Sequence, residues 1–359
     1  MTELIDEFGI GTTEERAESW RYSQNALRAL SQVPFEHEQP QDTLSDALSA
    51  RIRSLAGKRI VFVNGTLSRD LSAYDESAVT ISESIEISER VGELHLVFVN
   101  AANGKPQRWQ RDIALRAGVD AKIVEHHLGE SNADVLGVVT SRATVARGAT
   151  LDWATIVDIA DSDSLVRRQS ADISGMLRTT HALAGGRLQR FDIACELVDE
   201  KARYESRGAL MPSSRQHIDV HLDVHHRASE TSSDVLWRGI ADGRGRGILR
   251  GAITVAQGAD GADAQLQTKN LLLSSHAEID AQPVLEIYAD EVKASHGATV
   301  GQLDERVLFY LRSRGIPSRQ ARDLLIAGFA REAFDRTDGA LRESLDAWLA
   351  QHAKGASVA

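Results

Sequence analysis

The chain carries a single cysteine, Cys195, among its 359 residues. One thiol makes neither an internal disulfide nor a CxxC metal knuckle, so a metal or cluster held here needs other ligands or a partner chain. Aromatic residues are scarce too, at 5%. A polysaccharide-binding groove is usually lined by carboxylates and aromatics, and five Trp and five Tyr scattered along the chain argue against one. There is no basic excess. Lys and Arg number 41 against 52 Asp and Glu, a net charge of −11, which disfavours nucleic-acid partners because phosphate binding needs clustered cations. No apolar run approaches the ~18–20 residues of a membrane span. The opening MTELIDEFGIGTTEER is acidic where a secretory signal is basic and then apolar, so a cytoplasmic protein is expected. The sequence has no GxxxxGK[ST] loop for ATP hydrolysis and no GxSxG serine elbow, and no enzyme is expected. The run Asp242-Gly243-Arg244-Gly245-Arg246-Gly247 follows a strand but opens no helix, so it reads as a tight turn rather than a dinucleotide loop.

What is present is a soluble globular composition, 42% hydrophobic and 26% charged, long enough for two or three domains. Residues 1–57 read as helical. Glu14 to Leu30 carries apolar residues at helical spacing until Pro34, and a polar linker around Glu36–Gln41 leads to a second helix over Leu44–Leu55 that stops at Gly57. Residues 58–300 keep returning to short β segments. The first is Ile60-Val61-Phe62-Val63, closed by the turn Asn64-Gly65. Others are Thr80–Ile87, Leu94–Val99, Lys122–Glu125, Val135–Val139, Trp153–Val157, Leu188–Ala194, His217–His225, Val235–Ile240, Leu249–Val255 and Leu271–Leu273. Short strands without intervening helices predict a mainly β sandwich, barrel or solenoid. Gly-Ala and Gly-Val steps at Gly118, Gly148, Gly208 and Gly251 suit the tight corners of a solenoid, but periodicity alone leaves the choice open. Residues 301–359 return to helix. Asp304, Ser318 and Asp338 are the expected caps of three helices, the first closing at Gly315.

Four places offer chemistry. His296 sits in the polar run Lys293–Thr299, where the period changes from 2 to about 3.6, so the chain is expected to leave a sheet and enter a helix there. In a strand, His217, Asp219, His221, Asp223 and His225 share one face opposite Ile218, Val220, Leu222 and Val224. Neighbours on that face stand ~6.5–7 Å apart, so a chelate needs adjoining strands. A solvated outer face is the plainer reading, with His217, His221, His225 and His226 as weaker metal candidates. Glu125-His126-His127 reads as a surface strand end. Cys195 reads as a small buried hydrophobe, with a sulfur-relaying thiol as the alternative role.

The stretch NLLLSSHAEIDAQPVLEIYADEVKASHGATVGQLDERVLFYLRSRGI, from Asn270 to Ile316, resembles the C-terminal signature of the SufB/SufD family of iron–sulfur cluster assembly proteins. Trp20-Arg21-Tyr22-Ser23, Phe62-Val63-Asn64-Gly65, Ile123-Val124-Glu125, Leu236-Trp237-Arg238-Gly239-Ile240, Asp242-Gly243 and Arg246-Gly247 extend the match. Its short length and lack of further cysteines resemble the SufD branch more than the SufB branch. The resemblance implies a right-handed parallel β-helix flanked by helical ends. It also implies a SufB partner at the last rungs, through Leu285, Ile287, Tyr288, Val292, Ser295 and His296. A SufC ATPase would be received by the C-terminal helices, through Leu308, Tyr310, Leu311, Leu324, Leu325 and Phe329. His296 matches the family histidine at the SufB–SufD interface, where iron or a nascent cluster is held transiently and shared with SufB. The residue two before it, cysteine in one version of the pattern, is Ala294 here. No cofactor is expected to stay on this chain alone. A reduced flavin accompanies some assemblies of the family, and no residue here identifies its site. The alternatives are a SufB-like scaffold paired with itself and, further off, a β-helix enzyme acting on polysaccharide.

Overall fold

The computed structural model describes residues 21–23, 44–55, 57–74, 79–81, 84–87, 89, 91–100, 107–129 and 134–353. The helix expected over Glu14–Leu30 and the linker after it lie outside these residues, apart from Arg21-Tyr22-Ser23.

The body of the chain is a parallel β-solenoid of about seven turns. From the fourth strand on, successive strands alternate between two sheets. The first sheet holds β1 (Lys58–Val63), β2 (Thr66–Leu67), β5 (Val91–Asn100), β7 (Asp120–Gly129), β9 (Thr150–Ile159), β11 (Met176–Gly185), β13 (Arg203–Leu210), β15 (Ser232–Ala241), β17 (Asp263–Leu272) and β19 (Lys293–Gly301). The second holds β3 (Val79–Ile81), β4 (Ser84–Ile87), β6 (Gln107–Leu115), β8 (Leu136–Val145), β10 (Ser164–Ile173), β12 (Leu188–Leu197), β14 (His217–His226), β16 (Arg246–Val255) and β18 (Glu278–Ile287). Alternate residues of each strand point inward, so Ile218, Val220, Leu222 and Val224 of β14 join one core that runs from Ile60 to Leu266. Asn64 and Gly65, both with positive φ, turn β1 back into β2 as the sequence predicts.

Of the four glycine steps, Gly118 and Gly148 are corners with φ of +74° and +73°. The other two lie inside strands and serve a different purpose. A Cβ on Gly208 would stand 2.6 Å from the Trp237 ring, and one on Gly251 would stand 2.4 Å from Leu266 Cδ1. There glycine makes room for a large side chain on the neighbouring rung.

The helices cover the outer face of the first sheet. α1 (Asp46–Ser54), capped by Ser45, lays Leu48 and Ile52 on Val61, Val97, Val99 and Leu128. At the other end come α2 (Glu305–Ser313), α3 (Ser318–Arg331) and α4 (Gly339–His352). Ile326, Ala330, Phe334, Leu341, Leu345 and Trp348 pack on a floor of Val124, Ala154, Ala182, Ala184 and Ala209, small side chains that let helix and sheet approach closely. Trp348 Nε1 donates to the Val157 carbonyl at 3.1 Å. Arg238 of β15, fully buried, reaches Glu332 at 2.8 Å and lies over the Phe329 ring. Among the described residues, no helix is long and apolar enough to cross a membrane.

The cap expectations divide. Asp304 caps α2 through the Arg306 amide, and Gly315 closes it with φ of +85°. Ser318 is not the cap of α3; Pro317 takes that position and no side chain bonds there. Asp338 holds the N-cap position of α4 as expected, but its carboxylate accepts from Lys122 Nζ at 2.6 Å and makes no capping bond.

Candidate functional site

The run Lys293–Gly301 corrects the expected junction, because it is a full strand and the helix begins only at Glu305. The run is polar and small because β19 is the edge strand of the first sheet, with one pairing partner instead of two. His296 is thus a mid-strand residue. It pairs in register with Leu266, which lies in the core, and Ala294, two residues earlier, packs against that core. His296 belongs to the inward-facing row of β19 by the two-residue alternation of a strand. It is nevertheless exposed, because no further rung among the described residues stacks on it.

β18 forms the matching edge of the second sheet. Its inward row pairs residue for residue with β16: Pro283 with Gly251, Leu285 with Ile253 and Ile287 with Val255. Pro283 sits in mid-strand, tolerated there because the strand is an edge. Among the described residues, the end of the solenoid therefore presents an incomplete core layer and two unpaired backbone edges. Leu285 and Val292 are half-buried, while Ile287, Tyr288, Ser295 and His296 are exposed. Val300, 50% exposed, continues the apolar end surface. A histidine on such a surface offers one imidazole nitrogen to a metal or to a facing chain. Among the described residues, no group of three or more His, Cys, Asp or Glu could hold a metal ion, so His296 belongs to no such set there.

The C-terminal helices give a second surface. Of the residues singled out there, Tyr310 and Leu324 are exposed, at 55% and 51%. Leu311 and Leu325 are half-buried, Phe329 lies under Arg238, and Leu308 is turned into the protein. Val307 and Phe309 of α2 take the outward positions, Phe309 at 71% exposure.

The histidine stripe of β14 shares a face as expected, but that face is largely buried. His217, Asp219 and His221 are covered, and Ser23 Oγ reaches both His217 Nε2, at 2.8 Å, and Asp219. Burial raises the Asp219 carboxyl, yet the bond from His221 and the Arg190 charge outweigh it and bring the group down to about 2. Burial lowers His217 to about 4. His226 points to the opposite side, with both ring nitrogens engaged by Thr231 and Ser233 at 2.8 Å. His225 is half-buried on the outer side. The four imidazoles do not converge; His217, His221 and His226 bond instead to hydroxyls and a carboxylate of their own chain.

One further reading changes. Glu125, His126 and His127 are all buried rather than at the surface. Glu125 lies inside the solenoid and receives Arg167 through two bonds, at 2.8 and 2.6 Å. His126 faces outward under α1, 3.0 Å from His95 Nδ1. Cys195 is fully buried in the core, as a small hydrophobe would be, and desolvation pushes its thiol up to about 12.

Residues 98–329 match the family described as "SUF system FeS cluster assembly, SufBD core domain". The iron–sulfur cluster assembly protein SufD of Escherichia coli is 31% identical over 255 residues, covering 69% of this chain and 59% of that protein. A SufBD family protein of Mycobacterium tuberculosis is 32% identical over 262 residues, covering 70% and 64%. One from Synechocystis is 36% identical over 152 residues, covering 42% and 34%. The chain thus spans less than two thirds of the length of these relatives. With a SufBD core domain matched over most of its length and laid out as a parallel β-solenoid, the chain belongs to the SufBD family of iron–sulfur cluster assembly proteins.

Proposed function

We propose that this chain is a SufD-like, non-catalytic subunit of a SufBCD assembly. It pairs with SufB through the open end of the solenoid, and docks SufC through its C-terminal helices. Iron or a nascent cluster is its cargo, held transiently between the chains. The observation that carries the reading is the placement of His296, on the inward row of the last rung and exposed at the open end. A neutral imidazole is a competent iron ligand, and since no group of three ligand-type side chains forms among the described residues, a partner's ligands would complete the set. Unpaired strand edges on both sheets suit strand addition by a similar solenoid. The exposed Val307, Phe309, Tyr310 and Leu324 suit a docking partner for α2 and α3. A cytoplasmic address belongs to the same proposal. Trp109, Trp153, Trp237 and Trp348 are buried in packing, which speaks against a polysaccharide enzyme.

The test is co-purification of tagged chain with SufB and SufC, wild type beside His296→Ala. The expected result is unchanged subunit content with loss of iron–sulfur absorbance in the variant. Equal cluster in both would make His296 structural and leave the chain a docking subunit. A complex of this chain with itself, excluding SufB, would instead indicate the self-paired scaffold.

A further inference from the structure

The interior of the solenoid is not apolar throughout. Near one end of its polar section, Glu125 accepts from Arg167 and from Trp153 Nε1 at 3.0 Å, and His127 shares the same carboxylate. A few rungs on, Thr179 Oγ1 and Tyr204 Oη meet at 3.0 Å, and Trp237 Nε1 donates to Ser206 Oγ at 3.1 Å. Each of these groups has its partners within the chain. Between them the pattern fails. Thr155 stands in register between Glu125 and His181. Gln169, on the facing sheet, uses its carbonyl oxygen on Arg167 Nη1 at 2.8 Å. Thr155 and His181 are 0% exposed and Gln169 is 2% exposed. Yet Thr155 Oγ1, Gln169 Nε2 and both His181 ring nitrogens have no partner among the described residues.

A buried donor or acceptor left unpaired costs more than an ordinary hydrogen bond contributes, and an apolar side chain of the same shape would serve better. Here several such atoms fall on adjoining rungs. The His181 ring is stacked on Trp237 at 5.3 Å with Phe191 against its edge, so packing fixes its plane. We infer that Thr155, Gln169 and His181 form an enclosed water-binding site inside the solenoid, between the Glu125–Arg167 pair and the Tyr204–Ser206 group. The chemistry selects water rather than an ion. Glu125 and Arg167 neutralise one another, and burial holds the imidazole neutral by lowering it to about 3. A neutral imidazole offers one donor and one acceptor, the hydroxyl offers both, and the amide nitrogen donates. That mixture matches a molecule with two donors and two acceptors, and buried water typically makes about three such bonds.

The test combines a crystal structure of the full chain with two variants. The structure is expected to show ordered solvent about 3 Å from Thr155 Oγ1, Gln169 Nε2 and a His181 nitrogen. His181→Phe keeps the ring and its stack but deletes both nitrogens; Thr155→Val keeps the shape and deletes the hydroxyl. If these atoms hold water, both variants lower the melting midpoint, by roughly 1–3 °C in a chain of this size. A dry, close-packed interior at this position overturns the site, as do variants that both melt at or above the wild-type midpoint.

Discussion

Burial holds four histidines in the neutral form. His126 and His181 are lowered to about 3, and His217 and His226 to about 4, from 6.5. A base with a depressed folded value gives stability that is complete above 6.5 and drains away as pH falls toward the folded value. At pH 5 the loss is about 2 kcal/mol for each imidazole. Asp158 and Asp219, lowered to about 2 from 3.8, act further down and lose their contribution as pH falls through that window. Asp163, raised to about 7 by burial, works the other way and favours the fold as pH drops below 7. One carboxyl against four imidazoles leaves the histidines dominant. The urea midpoint is therefore expected to fall steadily from pH 7.5 to pH 5; a flat profile would show that the imidazoles are solvated in the fold. The histidines themselves were visible in the sequence, but their burial was not. Strand alternation put His217, Asp219 and His221 on an outward face, and an outward face is usually wet. Ser23, nearly two hundred residues earlier in the chain, is what covers it.

Among the elements, strands with apolar inward rows were legible and those with polar inward rows were not. β14 announces itself through Ile218, Val220, Leu222 and Val224. β10 carries Arg167 and Gln169 on its inward row, and β11 carries Thr179 and His181, so neither shows the alternation that marks a half-buried strand. β19 was hidden for another reason, since an end strand lacks the covering rung that would require apolar residues. The glycines show the same limit. Position in sequence cannot separate a corner glycine from one that clears space, yet substitution can. Gly118→Ala meets nothing within 4 Å and is opposed only by its φ of +74°, for about 1 kcal/mol. Gly208→Ala drives a methyl into the Trp237 ring and should cost about 1–3 kcal/mol, with a change in the near-ultraviolet signal of the tryptophan. Equal costs and an undisturbed tryptophan would mean that the rung relaxes around the new methyl.

At the scale of the whole molecule, the two exposed apolar surfaces have different causes and should fail separately. The end of the solenoid is apolar because its core stops without a capping layer, leaving Ile287 and Val300 at 41% and 50% exposure. The α2 surface is apolar because a short helix packs only Leu308 inward and leaves Val307, Phe309 and Tyr310 outside. Lysine on an exposed strand edge blocks pairing with another sheet while staying solvated in the free chain. Ile287→Lys with Val300→Lys should therefore leave the chain's own unfolding free energy, read from urea melts, within about 0.5 kcal/mol of wild type and abolish pairing with SufB. Phe309→Asp should spare that pairing and weaken recovery of SufC. The combination is informative because each variant controls for the other in one three-component pull-down. If the lysine pair removed SufC as well, the two surfaces would form a single interface. If it removed neither partner, the open end would not be the pairing face, and His296 would lose its place between the chains.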